Sequence, residues 1–573
     1  KNAELQPSPP ENLASGTAEN KVLAELSTPD DTTVIIKFAQ PRPLFGYEVV
    51  GHNVPIFSPG HFMQQYHPDF VDVAKLEATA KAAGFDSWVS YYKDRDLWYM
   101  NIARPSVYAW IPTNALSEEL FIMERNPYFW QVDPEGAQLP YVDKVAHRLF
   151  ETPEVLNLWI VNGEIDFQGR HVDIGNFTLY KENEEKGGFK MIMGVDASTL
   201  CFLPNHACKN LRVREFFQDR NVRLALSYAV NRTEINELVY DGVGTPRQYG
   251  ALSMSPDAYA PLQNAYLEYD VDKANALLDE AGYKERDADG FRKFKDGSGD
   301  TLSFIIEGFA VTGEQFMDAI LMIINYLKEV GLKCNYYSVE RSLYSAHYEA
   351  NEIESSMTFG FTGYTVFLTV TPYIILGTAL DTPWSGGWGW YHEQPESPNA
   401  EKPPEGHWIW EIWGIWDKLI AEADEAKRQD YLWQILDIWA RELPIVGYLG
   451  EFPKPFIVKN GLHNFASGYP NEDLMKDESV LGSQTLYWDE PEKHVLPGLR
   501  KDRIPIHDPR GLPAVLGRDP GGLEGGKLAN PVLLVVPRSA ARRKDRGTDR
   551  MNRTHRIQDL CGHRLPAPGP VIL

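Results

Sequence analysis

Four large aromatic side chains lie close together, among three glycines, in the segment TPWSGGWGWY at residues 382–391. The four are Trp384, Trp388, Trp390 and Tyr391. Because glycines weaken regular structure, the pattern predicts an irregular loop. Rings on such a loop could stack against the apolar faces of sugar rings or against peptide side chains in a cleft. The chemistry indicated is noncovalent ligand binding; the alternative is that the rings fill the core beneath the loop.

An enzyme is the competing class, since a tryptophan-lined cleft with many carboxylates is also how glycoside hydrolases are built. That chemistry needs two carboxyl groups about 5 to 9.5 Å apart, one with a raised pKa. Pairs such as Glu393 with Glu396, or Asp424 with Glu425, have ordinary loop and helix-surface explanations. The chain carries no Gly-x-Ser-x-Gly, His-Glu-x-x-His or Walker motif. We therefore predict no catalytic residue, no metal ligand and no cofactor, with a hydrolase as the alternative.

Composition limits the partners. The formal charge of -24 and the pI near 5.1 disfavour nucleic acid, whose binding depends on lysine and arginine. A length of 573 residues predicts three or four domains, and 15 tryptophans fit a surface that stacks on flat ligands. Four scattered cysteines predict no disulfide framework, although Cys201 and Cys208 could pair. The longest apolar runs fall short of the 18 or so residues that cross a bilayer.

The two ends of the chain are unusual. Residues 1–27 are polar and contain no secretion leader, so either the protein is cytoplasmic or its beginning is missing. Residues 494–573 contain no Phe, Trp or Tyr and hold fifteen Lys or Arg against seven Asp or Glu. We expect this tail to be disordered. Out-of-frame or read-through sequence would explain it, and a basic tail for an anionic partner is the alternative.

Between the ends, helical and strand patterns alternate as in an α/β protein. Asp270 caps a helix that Gly282 ends, and further helices are predicted at 316–330, 409–423 and 427–441. Strands are predicted at 302–306, 333–339, 357–361, 445–449 and 455–458. The rhythm predicts a sheet with crossover helices.

Three segments carry a resemblance to a known family. They are ERNPYFWQVDPEGAQLPYVDKV at 124–145, VNGEIDFQGRH at 161–171 and DRNVRLALSYAVNRTEI at 219–235. The chain resembles the family 5 extracellular solute-binding proteins of bacterial ABC importers over roughly residues 30–493. The resemblance implies a two-lobed periplasmic-binding-protein-like α/β fold with an extra accessory domain, and binding rather than catalysis. It also implies that about a hundred residues are absent before Lys1.

The resemblance further implies a domain plan and a hinge. Residues 1–125 would be the remnant of the accessory domain and of the first lobe, 126–205 with 444–493 the first lobe, and 206–443 the second lobe. Residues 494–573 would be the disordered tail. The lobe-linking segments would be LCFLPN at 200–205 and PIVGYL at 444–449. Such proteins close around a ligand by domain rotation.

The resemblance also bears on the ligand. Peptide-binding relatives often carry an aspartate in the turn after the strand at 357–361, where it grips the peptide amine. The corresponding turn here, GFTGYTVF at 360–367, contains no carboxylate, which favours an uncharged oligosaccharide over an oligopeptide. Further candidate contacts are Tyr364 in this turn, Asn205 at the expected hinge, and Arg170 with His171 after a strand. Arg170 pairing with a surface carboxylate and Asn205 capping backbone groups are the alternatives.

The resulting hypothesis is an extracytoplasmic binding subunit, periplasmic or attached to the outer face of the membrane. It would act as a monomer, capture an oligosaccharide or oligopeptide and deliver it to the permease subunits of an ABC transporter. A sensor module that does not transport shares the same scaffold and is a further alternative.

Overall fold

The computed structural model of the protein describes most of the chain up to residue 494 and one later segment. The described residues are 2, 4–5, 13–16, 22–51, 58–310, 315–378, 382–471, 482–494 and 531–537.

Helices and strands alternate along the described residues. The helices are α1 (Phe45–Gly51), α2 (Gly60–Met63), α3 (Val73–Ala82), α4 (Trp88–Arg95), α5 (Pro153–Val161), α6 (Phe177–Gly187), α7 (Leu211–Gln218), α8 (Arg220–Tyr228), α9 (Arg232–Tyr240), α10 (Ala260–Gln263), α11 (Val271–Glu280), α12 (Gln315–Glu329), α13 (Arg341–Glu349), α14 (Thr365–Val370), α15 (Tyr373–Leu376), α16 (Gly387–Glu393), α17 (Trp408–Ala421) and α18 (Glu425–Glu442). The strands are β1 (Ala14–Ser15), β2 (Val22–Leu23), β3 (Glu25–Asp30), β4 (Thr33–Lys37), β5 (Trp110–Pro112), β6 (Leu120–Arg125), β7 (Val142–Leu149), β8 (Phe167–Gln168), β9 (Phe189–Asp196), β10 (Thr199–Pro204), β11 (Thr245–Pro246), β12 (Ser303–Gly308), β13 (Lys333–Ser338), β14 (Ser355–Gly360), β15 (Val446–Gly450), β16 (Pro453–Lys459), β17 (Leu462–His463), β18 (Pro470–Asn471), β19 (Tyr487–Trp488) and β20 (Pro531–Pro537). Within the described ranges, none of the helices is both long and apolar enough to pass through a membrane.

The helices and strands predicted for residues 270–458 are confirmed. The Asp270 carboxylate accepts a hydrogen bond from the Lys273 amide at 2.8 Å and so caps α11, and Gly282 beyond its end has a φ of 96°. The predicted strands and the three other helices are β12, β13, β14, β15, β16, α12, α17 and α18. Capping and terminating residues fixed these elements because their effect is local.

Six strands form a mixed sheet in the order β11-β15-β10-β14-β12-β13, and we refer to this sheet with its helices as the second lobe. β12 is parallel to β13 and β14, whereas β10 is antiparallel to β14 and β15. Side chains of β10 alternate between the two faces. Leu200 and Phe202 pack with α7, α8, α11 and α12, while Cys201 and Leu203 pack with α17 and α18. The sheet therefore carries a core on each face.

Cys201 and Cys208 are free thiols, so the pairing considered from the sequence is not formed. Cys201 belongs to the core beside α17 and α18, whereas Cys208 belongs to the core on the opposite face of the sheet. A disulfide needs Cα atoms within about 7 Å and side chains that point toward each other. The sheet between the two cores separates these side chains.

Eight strands form the sheet of the first lobe, in the order β18-β9-β16-β8-β20-β7-β6-β5. Strand β16 again serves two cores: Phe456 and Val458 pack in one, and Ile457 packs in the other with α5 and α6. Strands β5 and β6 bring residues 110–125 into this sheet.

Strand β20 comes from the predicted tail. Its seven residues, PVLLVVP, pair antiparallel with β7, and Leu533 pairs with Phe167 of β8. The structure thus has a strand where the sequence predicts disorder, and the leucine and β-branched valine composition suits a strand. The remaining tail residues, 495–530 and 538–573, lie outside the described residues.

The chain passes between the two sheets twice. The first link, Ala197 and Ser198, joins β9 to β10, and the second link, Glu451 and Phe452, joins β15 to β16. The segments expected to link the lobes, 200–205 and 444–449, instead lie largely within β10 and β15. They pair with each other and so belong to the second-lobe sheet. The chain therefore changes sheet at the two links, whereas the sequence predicts the change of lobe at 205 and 444.

Candidate functional site

One edge of the second-lobe sheet faces the first lobe, because both links leave from it. Thr199 begins β10 directly after the first link, and Gly450 ends β15 directly before the second. Gly360, the last residue of β14, pairs with Thr199, which pairs on its other side with Gly450. We call this row of strand ends, formed by Gly360, Thr199 and Gly450, the link edge. It is also where the parallel strands β12 and β14 have their carboxyl ends, the position at which open α/β sheets bind ligands.

The turn from Phe361 to Tyr364 lies at the link edge on a well-fixed backbone. The Tyr249 hydroxyl donates to the Phe361 carbonyl at 3.0 Å, and the Leu252 amide donates to the Gly363 carbonyl at 2.8 Å. The Phe361 side chain nevertheless remains 50% exposed. Tyr364 is half-buried and precedes the first residue of α14. The turn therefore carries an exposed aromatic side chain at the link edge and contains no carboxylate.

Two carboxylates lie at the links, and both accept hydrogen bonds from other groups of the protein. Glu451 accepts hydrogen bonds from the Arg247 guanidinium and from the Ser253 amide, the latter at 2.5 Å. Asp196 accepts one from the backbone of the first link at 2.8 Å and one from the Asn471 side chain at 3.1 Å. Arg247 is 3% exposed in its side chain; burial lowers its pKa, and the Glu451 charge opposes that shift. These carboxylates therefore stabilise the links.

Arg170 and His171 lie in the first lobe, after β8, and both are exposed. β8 runs antiparallel to β16, which starts at the second link, so the chain leaving β8 heads toward the second lobe. A few residues later Gly175 meets that lobe: a Cβ built on it would lie 3.0 Å from Gln315 Nε2. The segment carrying Arg170 therefore borders the space between the lobes, on the side opposite the link edge.

In the aromatic segment, residues 383–386 form turns as the sequence predicts, whereas residues 387–391 belong to helix α16 and not to a loop. The glycines of the segment serve close packing. A Cβ on Gly389 would lie 2.6 Å from the carbonyl carbon of Thr378, and one on Gly386 would lie 2.2 Å from Asn351 Oδ1. The loop prediction is wrong for residues 387–391 because tertiary packing overrides the low helix propensity of glycine here.

Trp384 and Trp388 lie wholly inside the second lobe, each with 0% exposure. Trp384 Nε1 donates to the Ile374 carbonyl at 3.0 Å, and its ring stacks on Trp408 at 5.9 Å. Trp388 contacts the His407 ring edge to face at 4.6 Å. These contacts describe the core-filling role that was the alternative to ligand stacking.

Trp390 and Tyr391 are half-buried on the outer turn of α16. Trp390 Nε1 donates to the Glu349 carbonyl at 2.7 Å, at the end of α13. Tyr391 packs against Trp410 at 5.9 Å. Since α13 leads into the start of β14, these rings lie toward the opposite end of the sheet from the link edge.

Asn205 lies at that opposite end as well. It follows Pro204, which pairs with Ser355 at the start of β14, whereas Gly360 at the other end marks the link edge. At about 3.3 Å per residue, the length of β14 places Asn205 about 17 Å from the link edge. Its buried side chain donates to Asn351 Oδ1 at 2.8 Å and to a backbone carbonyl at 2.7 Å. These bonds fit the structural role that the sequence left as an alternative.

The structure therefore separates the residues predicted for one site. Tyr364 lies at the link edge and Arg170 across from it, while Asn205 and the aromatic segment lie far away. Sequence reasoning missed Phe361, although its position just after a strand could have indicated a strand-end ligand site. The described residues contain no group of three or more His, Cys, Asp or Glu placed to hold a metal ion.

Comparison with known proteins identifies relatives of two kinds. The periplasmic alpha-galactoside-binding protein of Rhizobium meliloti is 23% identical over 531 residues, covering 87% of this chain and 69% of that protein. The oligopeptide-binding protein OppA of Lactococcus lactis subsp. lactis is 28% identical over 242 residues, covering 40% of this chain and 36% of that protein. Both relatives are named as binding proteins.

Solved structures share the fold. An oligopeptide-binding protein OppA superposes with a TM-score of 0.60 at 29% identity, covering 85% of this chain and 77% of that one. The periplasmic binding protein MelB from Agrobacterium fabrum C58, in complex with stachyose, superposes with a TM-score of 0.58 at 20% identity, covering 81% and 67%. The predicted two-lobed α/β fold is confirmed.

The family described as bacterial extracellular solute-binding proteins, family 5 (middle), matches residues 5–366, more than half of the chain. Members of this family are periplasmic or extracellular proteins. This chain belongs to the family 5 bacterial extracellular solute-binding proteins.

Proposed function

We propose that this protein is the solute-binding subunit of an ABC importer and that it captures an oligosaccharide between its two lobes. The observation that carries the proposal is the turn from Phe361 to Tyr364, which presents an exposed aromatic ring at the link edge. An aromatic ring on a fixed backbone suits the apolar face of a sugar, because little conformational entropy is lost on stacking.

The absence of a carboxylate in this turn supports an uncharged ligand. A peptide ammonium that lost its charge-assisted hydrogen bond would bind more weakly by roughly 1.5 to 3 kcal/mol. At the links, Glu451 already neutralises the Arg247 guanidinium and Asp196 already accepts from Ser198 and Asn471, so a ligand ammonium would have to share either carboxylate with protein donors. The alpha-galactoside-binding relative and the stachyose complex of MelB agree with this choice.

An oligopeptide is the second candidate ligand. The superposition on OppA at 29% identity supports it, as does the sequence match to the lactococcal OppA. Backbone groups of the ligand could then pair with the turn in place of a sugar ring. The candidates differ in one property that can be measured, the dependence of binding on a free ligand amine.

We place the ligand contacts at Phe361 and Tyr364 in the second lobe and at Arg170 in the first. Closure of the lobes would bring these two sides together around the solute. We assign Trp384, Trp388 and Asn205 to packing, given their complete or near-complete burial. The closed form would deliver the solute to the membrane permease subunits, with the protein acting as a monomer outside the cytoplasm.

A thermal melt followed by tryptophan fluorescence tests the proposal. The full chain is heated alone and with separate panels of neutral oligosaccharides, oligopeptides and N-acetylated oligopeptides. A ligand at about a hundred times its dissociation constant adds about 2.7 kcal/mol of stability. We expect the oligosaccharide panel to raise the melting temperature, with each ligand recovered intact by mass spectrometry.

Other outcomes select the alternatives. Stabilisation by free but not N-acetylated peptides would indicate that the ligand is a peptide and not a sugar. Cleavage of the ligand would indicate that the protein is a glycoside hydrolase. Solute binding without any interaction with permease subunits in proteoliposomes would indicate a sensor module. A cooperative melt that neither panel shifts would contradict both candidate ligands.

A further inference from the structure

The second link is fixed to the second lobe by a buried ion pair. The Arg247 side chain is 3% exposed, and that of Glu451 is 13% exposed. The guanidinium donates to Glu451 and to the carbonyls of Gly250 at 3.0 Å and Ala251 at 2.5 Å. All of these arginine contacts except Glu451 belong to the body of the second lobe. The carboxylate of the link is therefore held by a cation that is itself rigidly placed.

The backbone of Glu451 needs such a partner. Its φ of 52° lies in the left-handed region, which costs energy for a residue with a Cβ. The Ser253 amide donates to the same carboxylate at 2.5 Å, so two donors of the second lobe hold the side chain of a strained link residue. Without the charge, this backbone conformation would lose the restraint that the ion pair supplies.

The other link residues divide between the lobes. Phe452 is 8% exposed, and its ring packs at a tilt against Tyr240 of the second lobe with the centroids 4.6 Å apart. In the first link, the Ala197 amide donates to the Asn471 carbonyl of the first lobe at 3.0 Å. The links are joined to each other by the Glu451 amide, which donates to the Ser198 carbonyl at 3.3 Å, and the Asp196 amide at the end of β9 donates to the Phe452 carbonyl at 2.8 Å. The change of lobe thus falls after residue 197 in the first link and after residue 452 in the second.

We propose that the Arg247–Glu451 ion pair is a positioning element that confines lobe rotation to the connections Ala197–Ser198 and Phe452–Pro453. Ligand capture then starts from a narrow range of lobe orientations. The ligand-dependent part of this inference rests on the proposed function, whereas the restraint itself is a property of the chain without ligand.

The test compares Glu451→Gln with Glu442→Gln in the 573-residue chain. Gln keeps the size of the side chain and removes its charge. Glu442 is the matched control, because it pairs with the buried guanidinium of Arg223 at 3.4 Å in the same lobe, away from the links. Interlobe distances are measured by electron paramagnetic resonance between spin labels at Glu182→Cys and Lys284→Cys, both exposed.

The native thiols do not interfere with labelling. Burial raises the pKa of Cys201, Cys208 and Cys334 to about 12, so these thiols react slowly at neutral pH. Cys561 is replaced by serine in every variant.

We expect Glu451→Gln to at least double the width of the interlobe distance distribution without ligand, and Glu442→Gln to leave it unchanged even where its melting temperature falls. With a solute identified by the thermal melt, Glu451→Gln should weaken binding at least fivefold. If Glu451→Gln does not fold, Arg247→Gln, which removes the cation, takes its place. An unchanged distribution in the folded variant would overturn the inference. If no solute binds, the proposed function fails while the ligand-free distributions still decide the role of the ion pair.

Discussion

Replacing Trp388 by alanine distinguishes a core residue from a ligand-stacking residue. The side chain has 0% exposure, so its loss should leave a cavity in the second lobe and cost about 3 to 5 kcal/mol of unfolding free energy. Trp388 Nε1 has no hydrogen-bond partner among the described residues, so no bond is lost with it. Trp384→Ala should cost about 1 kcal/mol more, because that indole donates to the Ile374 carbonyl.

Urea denaturation at 25 °C measures these differences, and solute affinity is measured separately where each variant is folded. Trp433→Ala is the control, since Trp433 is 39% exposed in the same lobe and should cost about 1 kcal/mol. We expect the Trp388→Ala affinity to stay within twofold of that of the unmodified protein. A tenfold loss of affinity with an unchanged unfolding free energy would refute the assignment of Trp388 to the core.

Three further changes test other parts of the structure. Phe361→Ala should weaken solute binding about tenfold, or about 1.4 kcal/mol, as measured by isothermal titration calorimetry. The control is Tyr128→Ala, which removes an 86% exposed ring in the first lobe and should leave the affinity unchanged. Equal affinities of the two variants would show that Phe361 does not contact the solute. Burial lowers the pKa of His147 to about 4. Between pH 6.5 and 4 this imidazole is therefore protonated in the unfolded chain but neutral in the folded chain. Unfolding free energy should therefore fall from pH 6.5 to 4, by at most about 1.4 kcal/mol per unit for this group, and urea midpoints of His147→Gln should fall less steeply. Gly389→Ala should cost about 1 to 3 kcal/mol, because its Cβ would lie 2.6 Å from the Thr378 carbonyl carbon; an unchanged melting temperature would show that α16 can shift.

Much of the fold could be predicted because its helices and strands carry local markers. Asp270 and Gly282 bound α11 through capping and a positive φ, which act within one helical turn. The helix at residues 387–391 was not predicted, because it depends on a contact between distant parts of the chain and not on a local marker. Gly389 disfavours a helix locally, but its missing Cβ allows the helix to touch Thr378, a contact between elements that no local pattern shows.

The candidate site could be predicted only in part, because it depends on strand order. Tyr364 was expected from its turn, and the structure places that turn at the link edge. Asn205 was expected nearby because residues 200–205 were predicted to link the lobes, yet they lie in β10, which runs antiparallel to β14 and carries Asn205 to the far end. Strand direction within a sheet is decided by long-range pairing, which one sequence does not specify.

The two strands that flank the second link have a consequence for the order of folding. β15 lies between β11 and β10 in one sheet, and β16 lies between β9 and β8 in the other, so residues 446–459 hold together both sheets. The partner strands β9 and β10 are made about 250 residues earlier, a delay of roughly 10 to 50 seconds at the ribosome. Pairing over such separations is slow, since the chain entropy is lost before the contacts form. Neither lobe can complete its sheet until this late segment arrives: the same fourteen residues fill a gap in each, and the first-lobe sheet then still needs β18 and β20, which come later in the chain.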